Sequence, residues 1–166
     1  YYYYRDSQNE SLHVDTTQPT PFGVFDEGTL TYNGTRIIGY WGASTDPESG
    51  MAYYLYRIRY TLNDGPLLPF IDWKNNALST SFVEYLNLSH TNLTHQYKYF
   101  IDVIAVNNAG LNRTNSSDGI TYIDIYPPAT HLLSVGNDTV APYSDVNFGN
   151  TIINVSGEEN MVCVYS

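Results

Sequence analysis

Cysteine occurs once, at Cys163, so no disulfide can close within the chain. It sits in an apolar run, Val162-Cys163-Val164, and reads as a buried inert thiol, with an interchain disulfide as the minor reading. Cations are scarce: seven Lys plus Arg against 17 Asp plus Glu leave a net charge of −10. Nucleic acid and anionic membrane both attract clustered positive charge, so neither is an expected partner, and the acidity is read as solubility. No apolar run approaches the ~18–20 residues of a membrane span, and membrane insertion is not expected. There is no initiator Met and no signal-peptide pattern, so the chain is expected to be a processed form or a piece of something longer.

The motifs of catalysis are lacking too. There is no G-x-S-x-G elbow, no H-E-x-x-H and no Cys/His cluster. His13, His90, His95 and His131 are scattered, two of them beside sequons, and read as surface histidines. Asp46, Glu48 and Asp145 could offer oxygen ligands to calcium, but none has the ligand density of an EF-hand loop. Asp46-Pro47 starts a turn and Ser49-Gly50 closes it, which accounts for the acidic loop without a metal. No catalytic residue, metal or cofactor is expected, and the chain is read as a non-enzyme.

What is present is β-forming sequence. Hydrophobic residues make up 42% of the chain, enough for a core, and 17 are tyrosines, which suit half-buried strands. From Ala52 the even positions run Ala52, Tyr54, Tyr56, Ile58, Tyr60 and Leu62, while Arg57, Arg59 and Thr61 alternate with them. That period of two marks a strand with one buried face. Other strands are expected at Leu12 to Asp15, Leu30 to Tyr32, Arg36 to Trp41, Phe70 to Lys74, Ser81 to Leu86, Tyr97 to Val106 and Ile120 to Tyr126. Asn33-Gly34 and Asn63-Asp64-Gly65-Pro66 are turn signals between them. Short strands at close spacing with no helical stretch predict an all-β antiparallel sandwich.

Residues 14–128 also resemble a fibronectin type III domain, an immunoglobulin-like sandwich, and more closely the divergent type III-like repeats of large extracellular proteins. The resemblance is carried by Trp41, the loop Asp46-Pro47-Glu48-Ser49-Gly50, and Tyr53-Tyr54-Leu55-Tyr56. It continues through Ala105-Val106-Asn107-Asn108-Ala109-Gly110-Leu111, Ser116-Ser117-Asp118-Gly119 and Pro127-Pro128. It implies a core placement for Trp41, a role in spacing, adhesion or assembly, and no catalytic residues. The inward set is then Trp41, Tyr54, Tyr56, Ile58, Tyr99, Ile101 and Val103.

The organisation expected is a strand-like extension over 1–10, a sandwich over 11–128 and a partial second β unit over 129–166. Tyr1, Tyr2, Tyr3 and Tyr4 would serve as a strand lent to a neighbouring chain. The last 38 or so residues, with strands at Asn150 to Val155 and Met161 to Tyr165, are too few to close a sandwich alone. Sequons occur at Asn9, Asn33, Asn87, Asn92, Asn112, Asn115, Asn137 and Asn154, a density that predicts a secreted or cell-surface glycoprotein with N-linked sugar. Phe100, Ile104 and Val106 face outward if Tyr99 faces inward, and Tyr53 and Leu55 extend that apolar column. An apolar outer column calls for a cover, expected here to be a second copy. The function expected is a structural subunit of an extracellular filament or surface coat, assembling with itself head to tail. The alternative is an adhesion or glycan- or protein-binding module, in which Trp73 would stack on a sugar.

Overall fold

The computed structural model describes residues 2–5, 12–86, 93–125, 130–135 and 153–157, with side chains over 14–86 and 93–125. Among these, every regular element is a strand. The strands are β1 (Tyr2–Arg5), β2 (Leu12–Asp15), β3 (Val24–Phe25), β4 (Leu30–Thr31), β5 (Arg36–Trp41), β6 (Met51–Thr61) and β7 (Leu68–Asn75). They continue as β8 (Ser81–Tyr85), β9 (Lys98–Asn107), β10 (Asn112–Ser116), β11 (Ile120–Tyr122), β12 (Thr130–Val135) and β13 (Ile153–Gly157).

The protein is an all-β sandwich. Its larger sheet runs β4-β11-β9-β6-β7, with β10 added along β9, and its smaller sheet runs β3-β5-β8. All pairings are antiparallel except β4 with β11. β6 and β9 form the spine, in register from Met51↔Asn107 to Thr61↔Lys98. Their inward residues Tyr54, Tyr56, Ile58, Tyr99, Ile101, Val103 and Ala105 are buried against Val24, Ile37, Trp41 and Phe82 of the smaller sheet. Aromatic rings span the two layers: Tyr56 stacks on Phe82 at 4.0 Å, and Trp41 meets Tyr54 at 5.6 Å. The Tyr56 hydroxyl donates to Glu84 Oε2 at 3.0 Å. Burial first, and then the Glu84 carboxylate, pushes its pKa well above that of an exposed phenol.

Gly39 lets these layers close. A Cβ there would collide with Phe82 Cε1 and stand 2.7 Å from Ile101 Cδ1. Gly39→Ala is therefore expected to destabilise the sandwich by about 1–3 kcal/mol through overpacking. Urea denaturation checks it by a lower midpoint at unchanged slope.

β10 was not expected from its sequence, Asn112-Arg113-Thr114-Asn115-Ser116, which has no apolar residue. It forms because its whole length pairs with β9, from Asn112↔Val106 to Ser116↔Asp102. Its odd residues tie it to the preceding edge: Arg113 Nε donates to Pro19 O at 2.6 Å and Asn115 Nδ2 to Phe22 O at 2.7 Å. Conversely, the strand expected over Ile120 to Tyr126 stops at Tyr122, after which the amide of Asp124 bonds to His95 Nδ1.

The chain divides into two compact units, Tyr1–Asp124 and Ile125–Ser166. The first ten residues belong to the first unit, because β1 pairs with β2 from Tyr2↔Asp15 to Arg5↔Leu12. Tyr2–Tyr4, expected to be a strand lent to a neighbouring chain, thus pair within the chain itself. A strand only a few residues from its partner in sequence closes a short loop at low entropic cost. In the second unit β12 and β13 form an antiparallel pair, Thr130↔Gly157 through Val135↔Ile153. The expected strand over Met161 to Tyr165, and Cys163 with it, lies outside the described residues.

Candidate functional site

The end of the sandwich where the chain comes in is organised by Asn107, which is 1% exposed. Its Nδ2 donates to Asp15 Oδ2 at 2.9 Å, to Asp46 Oδ2 at 3.0 Å and to Thr17 O at 3.2 Å. Its Oδ1 accepts the amides of Ala109 and Leu111. Every hydrogen-bonding position of that amide is used. Asp46 Oδ1 accepts the amides of Glu48 and Ser49, which folds the acidic loop into a turn. Glu48 Oε2 accepts from the amides of Thr16 and Thr17 and from the Thr17 hydroxyl, and the Thr16 amide above all holds its pKa below the usual carboxylate value. Asp46 and Glu48 therefore work as turn and clamp residues. No group of three His, Cys, Asp or Glu among the described residues is arranged to hold a metal.

The outer face of the larger sheet holds the apolar column expected to need a cover. Val106 is buried, while Phe100, Ile104, Tyr53 and Leu55 are half-buried. Part of the cover comes from the chain itself. Phe100 lies against Gly119, where a Cβ would stand 2.7 Å from its ring, and the Lys98 ammonium sits 5.1 Å over that ring. Gly119 has φ +88°, so it supplies both the turn and the close approach.

Asp102 interrupts the column and is 1% exposed. Its Oδ2 accepts from Arg57 Nε at 2.8 Å and Arg59 Nε at 2.6 Å, and its Oδ1 from Arg59 Nη2 at 2.8 Å and Ser116 Oγ at 2.6 Å. Burial pushes the Asp102 pKa up. The bonds from Arg59, Ser116 and Arg57 outweigh burial and leave it below the ordinary 3.8. Arg57 in turn lies 4.6 Å over Trp73, so one face of that indole is already taken, which lessens its fitness as a sugar platform.

The more open apolar face is on the smaller sheet, and it was not expected. Phe25 and Tyr40 are cross-strand partners stacked at 5.3 Å, each 49% exposed, and Val83 and Tyr85 continue the patch on β8. Arg36, opposite Tyr85, pairs with Glu27 at 3.2 Å. The alternation of Phe25, Tyr40, Val83 and Tyr85 with buried neighbours was present in the sequence. Their adjacency depends on a register that three separate strands create.

A pocket of about 140 Å³ opens between Tyr60, Phe70, Thr94, Tyr97 and Tyr99. The Tyr99 hydroxyl accepts the Thr94 amide at 2.8 Å, and burial of the ring raises its pKa. Its walls offer rings and hydroxyls but no acid–base pair.

The sequons differ in their surroundings. Asn33 is exposed, and its Oδ1 accepts both the amide and the hydroxyl of Thr35, an Asx turn built from the sequon itself. Asn112 and Asn115 are both exposed on β10, and the Asn115 amide group also donates to Phe22 O. Asn154 falls within β13, and Asn9, Asn87, Asn92 and Asn137 lie outside the described residues. No helix among the described residues is long and apolar enough to cross a membrane. The fold and these surfaces define an all-β sandwich with a polar hub at one end and an open aromatic face. No protein-family model, no curated protein and no solved structure matches the chain.

Proposed function

We propose that this protein is a non-catalytic structural module of an extracellular, N-glycosylated filament or surface coat, joined end to end with copies of itself through β-strand contacts. One observation supports this above the rest: a two-stranded ribbon stands at each end of the chain, β1–β2 and β12–β13. Among the described residues each strand of such a ribbon keeps one open edge, and an isolated two-stranded ribbon is only marginally stable in water. Addition of one ribbon to the edge of another satisfies both. The polarity of the sandwich agrees. Asp15 is bonded to Asn107 at one end of β9, and Tyr122 pairs its amide with Tyr97 O just before the other end. The ten residues of β9 separate inlet from outlet by roughly 33 Å. The strand order, with Trp41 in the core, is compatible with the resemblance to type III domains.

Light scattering of the secreted chain over a concentration series tests the proposal. Species larger than the monomer are expected, and removal of residues 1–8, which takes away β1, is expected to abolish them. A full-length chain that stays monomeric, or a shortened one that assembles unchanged, contradicts it.

The exposed Phe25–Tyr40 stack and Tyr85 favour one rival, a binding module that grips glycan or protein on its smaller sheet. A monomeric chain whose glycan or protein capture is lost in Tyr40→Ala and Tyr85→Ala would establish that reading instead.

A further inference from the structure

We infer that Asn112 carries an N-linked glycan which lies over the apolar column of the larger sheet, and that the neighbouring sequon at Asn115 stays unmodified as a structural tie. This rests on the glycoprotein reading above and sharpens it. The two sequons are consecutive on one short strand, yet the register sends them to opposite sides.

On a strand, residues two apart share a face. In Asn112-Arg113-Thr114 the asparagine and the hydroxyl residue therefore both face outward, and both are exposed. Asn112 stands opposite Val106, and Val106 opposite Tyr53, while Thr114 stands opposite Ile104, and Ile104 opposite Leu55. Two rows of apolar side chains thus begin at this sequon, half-buried at Ile104, Tyr53 and Leu55 and buried at Val106. Strands lie about 4.8 Å apart, so a first pyranose at Asn112 reaches over Val106 and Ile104 and a second reaches Tyr53 and Leu55. A pyranose has an apolar face, and aromatic and branched aliphatic side chains receive it. The column's remaining cover is then the chain's own sugar rather than a second copy.

In Asn115-Ser116-Ser117 the asparagine lies on the other face of the strand, exposed but tied, and its hydroxyl residue Ser117 is buried. Asn115 is opposite the buried Val103, its Nδ2 donates to Phe22 O at 2.7 Å and its Oδ1 accepts the Ser116 amide. Ser117 is buried, and its hydroxyl receives the Ile101 amide at 3.1 Å. A sugar on Asn115 Nδ2 would compete with its bond to Phe22 O, one of the two bonds by which Arg113 and Asn115 tie β10 to the Pro19–Phe22 segment.

The step is transfer of an oligosaccharide from a lipid-linked phosphate donor. A bond forms between Asn112 Nδ2 and the anomeric carbon, the bond from that carbon to the donor's phosphate oxygen breaks, and the amide proton leaves with the phosphate. Nothing is oxidised or reduced.

The test uses the full chain secreted from a eukaryotic host, with enzymatic deglycosylation in heavy-oxygen water to mark formerly occupied asparagines. Cleavage after Lys98 and Arg113 separates Asn112 from Asn115. Asn112 is expected to be marked in most molecules and Asn115 in fewer than about one in ten. Asn112→Gln is expected to lower the secreted mass by one glycan and raise binding of an apolar-surface dye several-fold. Asn115→Gln is expected to leave the mass unchanged and lower the melting temperature. An unmarked Asn112 alongside a marked Asn33, a heavily marked Asn115, or dye binding indifferent to Asn112→Gln overturns this inference alone. A chain with no marked asparagine overturns the glycoprotein reading as well.

Discussion

Asn107→Ala is expected to destabilise the first unit by roughly 3–5 kcal/mol, the largest effect of any single polar change here. Asn107 is the common donor for two buried carboxylates, Asp15 and Asp46, and the common acceptor for two loop amides. Truncation leaves all four without their partner inside the protein, where unmet polar groups cost most. The denaturation midpoint should fall with the slope unchanged. A loss under about 1 kcal/mol would mean that water replaces the amide and that the hub is not what fixes the incoming segment. Asn107→Asp makes a sharper version. It replaces the donating amide by an acceptor-only carboxylate facing Asp15 and Asp46, so its deficit should exceed that of Asn107→Ala. For an end-to-end module the hub matters beyond stability, since Asp15 ends β2 and Asn107 ends β9. The bond between them sets the N-terminal ribbon against the sandwich.

Asp102→Asn is expected to cost roughly 2–3 kcal/mol. The carboxylate is buried and accepts four bonds, and its removal leaves Arg57 and Arg59 without a counter-charge. Both arginines keep partial contact with water, at 35% and 24% side-chain exposure, which holds the loss below that of a fully buried pair. The pH dependence has a definite sign. The folded-state pKa of Asp102 lies below its unfolded value, so its contribution is complete above about pH 4 and is lost as pH falls through the lowered folded value. Unfolding free energy measured between about pH 6 and pH 2 should therefore drop less steeply in Asp102→Asn than in the parent. Parallel curves would show that the arginine cluster makes no net contribution. Because Asp102 lies between Phe100 and Ile104 on the outer face, the variant should also loosen the apolar surface on either side of it.

How far the sequence could be read depends on whether the deciding contact is local. The period of two from Ala52 identified β6 and its inward face, and Tyr54, Tyr56 and Ile58 are buried. Leu62, in phase with them, is exposed because the chain turns at Leu62, where Gly65 N bonds back to its carbonyl. β10 was illegible because its stability comes from β9 and from bonds to Pro19 and Phe22, more than ninety residues earlier in the chain. Asp102 read as an interruption in an apolar strand. Its meaning lay in Arg57 and Arg59, two apart on the adjacent strand, a pattern that opposed pairing of β6 and β9 would have exposed. Phe100 read as unprotected because its cover, Gly119, follows a turn in the chain. The open aromatic face escaped notice for the same reason: Phe25, Tyr40 and Tyr85 are distant in sequence and meet only through the register of the smaller sheet.

Electron microscopy of the native material, at a resolution that separates strands, tests the central proposal most directly. The expected result is a filament or coat in which sandwiches repeat end to end, the β1–β2 ribbon of one copy lies along the β12–β13 ribbon of the next, and sugar density rises from Asn33 and Asn112. Dispersed single sandwiches with no ribbon-to-ribbon contact and no density on either asparagine would contradict it.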